Sequence, residues 1–323
     1  MVRMFNEKAD LKTVREENAG TIDDVKNSFQ SQSVLFNTFV DMIDESFQET
    51  AGFDQFLLDT NGFYWFTEKT AEGQSASSIY IFNSCGQLVK SLRVNGKAAT
   101  LYEYDDCILA ACEGVDSKGY IYKYAKEDQR LLEHWDISGF LWDLEKLGDV
   151  LYITSYLAET NEAVLYTISG QEVSCKVLGQ GFFPTGVLIQ DNLLYIPVCP
   201  LYSPNTGSVL CIDFCGNDVE EIPVSVSPRQ IFSYDGQLIL HGIDMSQGRA
   251  ESIIYLDPAT KKTESFQIPK AQDIRTQGEH LLIFNQETET IVYWSHAKKK
   301  ITRIVQWPIK RKNNSKNNVL LNH

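Results

Sequence analysis

The most constraining feature of this sequence is a repeat of short apolar segments with a period of 43 or 44 residues. A turn rich in Gly, Asn and Asp introduces each copy, and the apolar core that follows predicts a β-strand. Helical repeats of similar length would need apolar stripes at 3.6-residue spacing, which the copies lack. The copies are anchored at Tyr64, Ile108, Leu151, Leu194, Leu238 and Leu281.

Each copy continues with a third strand after a variable loop, then a more polar fourth strand, and then the first strand of the next copy. Around the fourth anchor these segments are 208–213, 219–223 and 230–234. This gradient is expected when neighbouring units cover the inner strands on both faces while the outer strands meet water. The repeat therefore predicts an all-β fold, a β-propeller of four-stranded blades.

The number of blades depends on the two ends of the chain. Residues 33–37 and 42–47 align with a third and a fourth strand one period before the first anchor, and 319–321 falls near the position of a further second strand. We predict seven blades, the last closed by both termini. Its first strand would have to come from 310–316, which is too polar to be buried, so six blades plus an N-terminal annex is the alternative.

The corresponding domain organisation has three parts. Residues 1–32 are polar and predict a loosely ordered arm, and 33–309 form the propeller. Residues 310–323 form a basic, Asn-rich tail that could add the closing strand.

Composition narrows the partners and the compartment. The net charge is −14, from 29 basic and 43 acidic residues, which disfavours nucleic acid and anionic membrane as partners. The first ten residues lack the apolar core of a signal peptide, and no apolar run is long enough to span a membrane. Seven cysteines, an odd number, lie mostly in strand patterns. We therefore expect a cytoplasmic protein with reduced, mostly buried thiols.

Two segments carry a resemblance to a known group of propellers. Asn-Leu-Leu-Tyr-Ile at 192–196 and Ile-Tyr-Leu-Asp-Pro-Ala-Thr-Lys-Lys at 254–262 resemble the YVTN-type repeats of quinoprotein and lactonase-like propellers. The resemblance spans roughly 33–308 and implies the fold, with little about chemistry. There is no Gly-Gly kelch signature, and the Trp-Asp pairs at 135–136 and 142–143 do not recur at the repeat period, so a WD40 assignment is unsupported.

Ligand sites in propellers usually lie where loops converge around the central opening, which is an analogy at the level of the fold. We expect Arg229 to lie between the carboxylates of Asp143 and Asp273 on flanking blades. Such a cluster could bind a cation or a polar ligand, or it could be a hydrogen-bonded lining that keeps the blades in register. The candidate residues at the beginnings of the first strands are Gln55, Trp142, Asp143, Thr185, Arg229, Gln230 and Asp273.

Three further residues are candidates for binding. The five histidines lack metal-ligand spacing. His241 is the one that we consider functional, because it lies at the predicted start of a loop on the same face. Tyr156 and Tyr202 fall in or near loops of that face, where aromatic rings suit protein or sugar recognition. Packing between blades is the alternative explanation for both rings.

No catalytic set, metal site or cofactor motif emerges from the sequence. The leading hypothesis is a non-catalytic cytoplasmic scaffold that binds a protein or peptide through loops on one face. One alternative is a metal-assisted hydrolase or lyase acting on a small polar substrate at the central channel, with Asp143, Asp273 and His241. The other alternative is a carbohydrate-binding module.

Overall fold

The computed structural model describes residues 53–306, except 71–73, 105, 116, 203–204, 216, 245–249, 272, 286–287 and 289. The secondary structure of this part of the chain consists of strands and turns. Within it there is no helix long and apolar enough to cross a membrane. The strands form six antiparallel sheets that follow one another along the chain, as the repeat predicts.

We number the sheets as blades 1 to 6. Blade 1 contains β1 (Phe53–Leu58), β2 (Tyr64–Glu68), β3 (Ala76–Phe82) and β4 (Leu88–Asn95). Blade 2 contains β5 (Lys97–Glu103), β6 (Cys107–Glu113), β7 (Lys118–Ala125) and β8 (Leu131–Ser138). Blade 3 contains β9 (Phe140–Leu147), β10 (Val150–Leu157), β11 (Glu162–Ser169) and β12 (Glu172–Gln180).

The other three blades repeat this order. Blade 4 contains β13 (Phe182–Pro184), β14 (Leu188–Gln190), β15 (Leu193–Pro200), β16 (Gly207–Asp213) and β17 (Asp218–Val224). Blade 5 contains β18 (Ser227–Tyr234), β19 (Gln237–Asp244), β20 (Ala250–Leu256) and β21 (Thr263–Ile268). Blade 6 contains β22 (Asp273–Gln277), β23 (His280–Asn285), β24 (Thr290–Ser295) and β25 (Lys300–Gln306).

The period predicted the strand order correctly. All six anchors lie in the second strand of a blade, which pairs with the first and third strands on either side. In blade 4 the first strand is split, so that β13 and β14 both pair with β15. Second strands are buried on both faces, as in β6, whereas β4 alternates between exposed and buried residues. The first strands of neighbouring blades contact one another, as β1 does β5 and β9 does β14, which places them innermost.

A hydrophobic cluster fills each of the five junctions between consecutive blades. Trp65 of blade 1 packs with Ile108 of blade 2, and Leu109 of blade 2 belongs to a cluster with Ile153 of blade 3. Equivalent clusters join blades 3 and 4, 4 and 5, and 5 and 6. Each blade is thus one layer of a continuous stack and has no core of its own.

The predictions about the chain termini lie outside the described residues. They concern the arm at 1–32, the tail at 310–323 and the closing strands that would use 33–47 and 319–321. Six blades are described, and the seventh stays a prediction.

The expectation of mostly buried thiols is wrong. All seven cysteines are free, but only Cys107, Cys112 and Cys211 are buried, and Cys199 is half-buried. The three exposed thiols lie where a blade meets water: one on the outermost strand β12, and two in the turns that precede the outermost strands β4 and β17. They are Cys175, Cys85 and Cys215.

Candidate binding face

The candidate residues converge on one end of the propeller, which we call the upper face. Here every first strand begins and every second strand ends, so that Phe140 and Leu157 of blade 3 both lie at this end. This face is made of strand ends and of the turns and loops that connect them. The side chains that it presents are therefore set by the first residues of the inner strands.

The inner strands are irregular at the same position in blade after blade. The pairing of β5 with β6 skips Ala99, that of β9 with β10 skips Trp142, and that of β18 with β19 skips Arg229. In blade 1 the shift spans Gln55, and in blade 4 Thr185 lies in the break between β13 and β14. A bulge places an extra residue opposite one partner and re-aims its side chain. An irregularity thus recurs near the upper end of the inner strand in blades 1 to 5, whereas β22 of blade 6 pairs with β23 without a shift.

The bulge in blade 3 lifts a tryptophan onto the junction with blade 4. The Trp142 ring stacks on Phe183, with centroids 5.7 Å apart and planes 24° apart. Phe183 also packs against Tyr156, at 4.4 Å between centroids. Tyr156 is buried within β10 rather than in a loop, whereas the Trp142 side chain remains 42% exposed. Phe183 therefore supports Trp142 from below and holds its outer surface toward solvent.

Two more exposed aromatic residues belong to segments that adjoin this stack. Phe140 is the Cα partner of Tyr156 and is 43% exposed. Tyr202 is 85% exposed, and its segment is fixed near β13 because the Leu201 amide donates to the Gly181 carbonyl at 2.9 Å. We call this group the aromatic patch; its members are Phe140, Trp142, Tyr156, Phe183 and Tyr202.

Asp143, next to Trp142, is used to join three blades. Its Oδ1 accepts hydrogen bonds from the Leu144 amide at 2.9 Å and from the Tyr102 hydroxyl of blade 2 at 3.3 Å. Its Oδ2 accepts from the Val187 amide of blade 4 at 3.0 Å. Burial raises the pKa of Asp143, and the hydrogen bonds from Val187, Leu144 and Tyr102 act against this rise. These contacts favour a lining that keeps the blades in register.

The predicted pairing of Arg229 with Asp143 is wrong. Arg229 is exposed, and the described contacts of the Asp143 carboxylate are all with blades 2, 3 and 4. The bulge explains the difference, because it turns the Arg229 side chain away from the regular inner-strand direction. Gln55 and Asp273 lie on β1 and β22 as expected, but their side chains are outside the described part.

Thr185 and Gln230 have mainly structural positions. Thr185 is buried, and both its amide and its hydroxyl donate to the Pro197 carbonyl, at 2.8 and 3.3 Å. These bonds hold the break between β13 and β14 against β15. Gln230 is half-buried and pairs with His241 across the β18–β19 ladder, which puts both on the face toward blade 6.

A second acidic residue lies deeper in the channel. Glu145 follows Asp143 on the same face of β9, and burial raises its pKa to about 7, with a further contribution from the Asp143 charge. Burial likewise raises the pKa of the Tyr104 hydroxyl, and the Glu145 charge adds to this effect. Two carboxyl groups and two tyrosines with raised pKa values therefore lie where the inner strands of blades 2 and 3 adjoin.

His241 is buried within β19 and forms a hydrogen-bond contact with a carboxylate instead of starting a loop. Its Nε2 lies 3.0 Å from Oε2 of Glu251, which is also buried and accepts the Ala271 amide at 2.7 Å. The other ring nitrogen, Nδ1, is buried without a hydrogen-bond partner. Ala271 precedes the first strand of blade 6, so this contact joins blades 5 and 6. Among the described residues no group of three His, Cys, Asp or Glu side chains could hold a metal ion.

Sequence reasoning missed Tyr102, Glu145 and Glu251. The repeat did contain a signal for Glu251, because aligning the copies places it against small residues in four other blades, at Ser77, Gly119, Ala163 and Gly207. Nothing comparable marks Tyr102, whose contact depends on the distance between two blades.

Comparisons with known proteins support the propeller fold but assign neither a family nor an activity. No family model matches the chain, and no curated protein matches it. Similar solved structures include a Bacteroides uniformis protein assigned as a 6-phosphogluconolactonase, with 10% identity, a TM-score of 0.57 and coverage of 78% of this chain and 84% of that one.

Two propellers with other names are about as similar. The β-propeller domain of Cps50 (Swd1) from Myceliophteria thermophila has 11% identity and a TM-score of 0.55, over 80% of this chain and 87% of that one. The Dos1 propeller has 11% identity and a TM-score of 0.54, over 79% and 69%. Identities this low show a common fold and no common activity. By its sheets and its structural relatives, the chain is a β-propeller.

Proposed function

We propose that this propeller is a non-catalytic cytoplasmic scaffold that binds a protein or peptide partner through the aromatic patch on its upper face. The observation that carries the proposal is the exposed Trp142, lifted out by a bulge and stacked on Phe183. Tryptophan and tyrosine dominate the energetics of protein interfaces because they bury a large area with few rotatable bonds.

The patch is pre-organised for binding. Trp142 is restrained by the ring beneath it, and the Tyr156 hydroxyl is bonded to Asn161 in the turn between β10 and β11. A ring that is already ordered loses little side-chain entropy when a partner covers it.

The channel residues favour this function over catalysis. The Asp143 carboxylate is occupied by two backbone amides and a tyrosine, and His241 is buried against Glu251. Two of the three groups of the hydrolase hypothesis thus have structural partners, and the side chain of the third, Asp273, is outside the described part. The lactonase name belongs to two of the structural relatives, at 10% and 12% identity, and gives this chain no activity. Carbohydrate binding would use the same rings, and the test below separates it.

The test is affinity capture from a lysate of the native host with quantitative mass spectrometry. We expect the wild-type protein to capture a partner. The captured amount of this partner should fall about 10-fold or more with Trp142→Ala and with Tyr202→Ala. Leu147→Ala is the matched control, because Leu147 is a comparably exposed apolar residue on the same strand β9 but at its opposite end.

The proposal has two contrary outcomes. Captured proteins that do not change with Trp142→Ala or Tyr202→Ala would remove the patch as the interface. Captured glycoproteins that elute with free sugar would assign the rings to carbohydrate instead. Circular dichroism of each variant would check that the fold is retained.

A further inference from the structure

The kind of partner can be narrowed from the way the strands meet the patch. On the upper face β9, β10 and β13 present their ends, and the edges of β9 and β13 face the channel. A peptide that adds a strand to a sheet needs an open edge with free amides and carbonyls. The outer edges of the two blades that carry the patch, blades 3 and 4, are those of β12 and β17, away from the channel. Strand addition is therefore not the mode of binding at the patch.

A helical ligand is also a poor match. Amphipathic helices insert leucine-like side chains into grooves lined by aliphatic residues. The exposed aliphatic side chains of the described residues lie on the outermost strands β4, β8 and β12 or at the far end of β9; they are Leu88, Val89, Leu131, Leu132, Val173, Val177 and Leu147. The patch itself offers flat rings, chiefly Phe140, Trp142 and Tyr202.

The charge next to the patch is negative. Glu159 is exposed in the turn between β10 and β11, beside Asn161, which is bonded to Tyr156. Glu162 follows at the start of β11 and is held by the Thr160 hydroxyl at 2.7 Å and the Gln180 amide at 3.2 Å. With a net charge of −14 for the chain, this rim attracts a cationic ligand.

We infer that the partner presents an extended, proline-rich segment that carries lysine or arginine, a conclusion that rests on the proposed function. Flat, rigid rings are the surface on which polyproline-II segments dock, since the segment is stiff before binding and its rings stack on aromatic faces. The prolines cover Trp142 and Tyr202, and the basic side chain reaches Glu159. A guanidinium can also stack on an exposed indole ring.

The experiment measures fluorescence anisotropy of three labelled peptides of equal length with the full chain. The first peptide is proline-rich with flanking arginines, the second replaces the arginines with glutamates, and the third keeps the arginines but replaces the prolines with serine and glycine. We expect saturable binding of the first peptide alone, with a Kd on the order of micromolar.

Substitutions in the protein test which residue binds the prolines of the peptide and which binds its basic side chain. Trp142→Ala should weaken the first peptide about 10-fold or more. Glu159→Lys should weaken it several-fold at low salt and improve binding of the glutamate peptide. Leu147→Ala, on the same strand, should leave all three Kd values unchanged.

The outcomes separate this inference from the proposed function. If a lysate partner is lost with Trp142→Ala but its mapped binding segment has no proline-rich basic stretch, the function stands and the inference is wrong. Equal binding of the first and third peptides, or binding unaffected by Trp142→Ala, also overturns it. If no captured protein depends on Trp142, the proposed function fails first.

Discussion

At the scale of single residues, the repeat provides an internal comparison for the polar groups between blades. Ser77 of blade 1 and Glu251 of blade 5 hold equivalent positions; the Ser77 hydroxyl accepts the Ala98 amide at 3.0 Å, as Glu251 accepts that of Ala271. In blade 4 the position is Gly207, where a Cβ would lie 2.3 Å from Cδ of Pro228. Blade 5 thus has a carboxylate at the position where blade 1 has a serine and blade 4 has no room for a side chain. His241 lies within hydrogen-bond distance of this carboxylate.

This arrangement predicts a graded stability series. Glu251→Ala leaves the Ala271 amide buried without an acceptor, at a cost of about 1–3 kcal/mol in the free energy of unfolding. Glu251→Ser should cost less, because blade 1 already satisfies the equivalent amide with a serine. Adding His241→Thr to Glu251→Ser copies Thr67 of blade 1. The double variant should recover more stability than Glu251→Ser alone, because it removes a histidine that has lost its partner.

Urea denaturation of the single and double variants measures the series. Ser265→Ala, on the outer strand of the same blade, serves as a control for mutation in blade 5. Glu251→Ser no more stable than Glu251→Ala would show that the amide contact contributes little and that the hydrogen-bond contact with His241 dominates.

At the scale of elements, the connection between blades 2 and 3 sets the position of Trp142. Gly139 joins β8 to β9 with a φ of +91°, and a Cβ there would lie 2.6 Å from the Tyr156 carbonyl oxygen. Gly181 joins β12 to β13 with a φ of +79°, but a Cβ there would meet nothing within 4 Å. The two glycines share the backbone conformation and differ in the closeness of the neighbouring strand.

We predict that Gly139→Ala is the more harmful change. In both variants an alanine must adopt the left-handed backbone conformation, which lowers the free energy of unfolding by about 1–2 kcal/mol. Gly139→Ala must also move β9 away from β10, which should add at least about 1 kcal/mol and displace Trp142. Thermal unfolding gives the first effect, and acrylamide quenching of Trp142, the exposed tryptophan of the described residues, gives the second. Equal stability of the two variants would mean that the junction relaxes without moving the strand.

The same elements show what the sequence could and could not reveal. Apolar runs after turn residues, repeated with the 43-residue period, locate second strands such as β10 and β19, because these strands are buried on both faces in blade after blade. Trp142 was placed at the correct end of its strand, but the bulge there was not foreseen. A bulge changes where a side chain points without changing the pattern, so Arg229 was expected to face a carboxylate that it does not meet.

At the scale of the whole molecule, stability is shared between blades. Every described junction has its own cluster, and residues of one second strand, such as Ile239 and Leu240 of β19, belong to clusters on opposite sides. Opening one blade therefore disrupts two clusters at once. The lining by Asp143 adds a polar tie across blades 2, 3 and 4. Nearest-neighbour coupling of this kind favours concerted unfolding over the loss of single blades.

Cysteine labelling tests this coupling directly, because buried thiols lie in blades that do not adjoin. Burial raises the pKa of Cys107, in blade 2, to about 11 and that of Cys211, in blade 4, to about 11. Both are therefore protected twice, by packing and by the scarcity of thiolate. Cys85 and Cys215 lie in exposed turns and should react in the native protein. Labelling of Cys85 and Cys215 reports that the reagent reaches exposed thiols, whereas labelling of Cys107 and Cys211 reports that their blades have opened.

We predict that Cys107 and Cys211 become labelled together when the protein is pulsed with a thiol reagent across a urea series, and that both follow the loss of circular dichroism. The reason is that blade 3 lies between them and contributes to the clusters on both sides, so neither end of this stack opens alone. Peptide mapping by mass spectrometry resolves the two sites, with Cys85 as the fully labelled reference. Labelling of Cys211 at clearly lower urea than Cys107 would show that blades 4 to 6 separate first, and that the clusters between blades 3 and 4 are weaker than their burial implies.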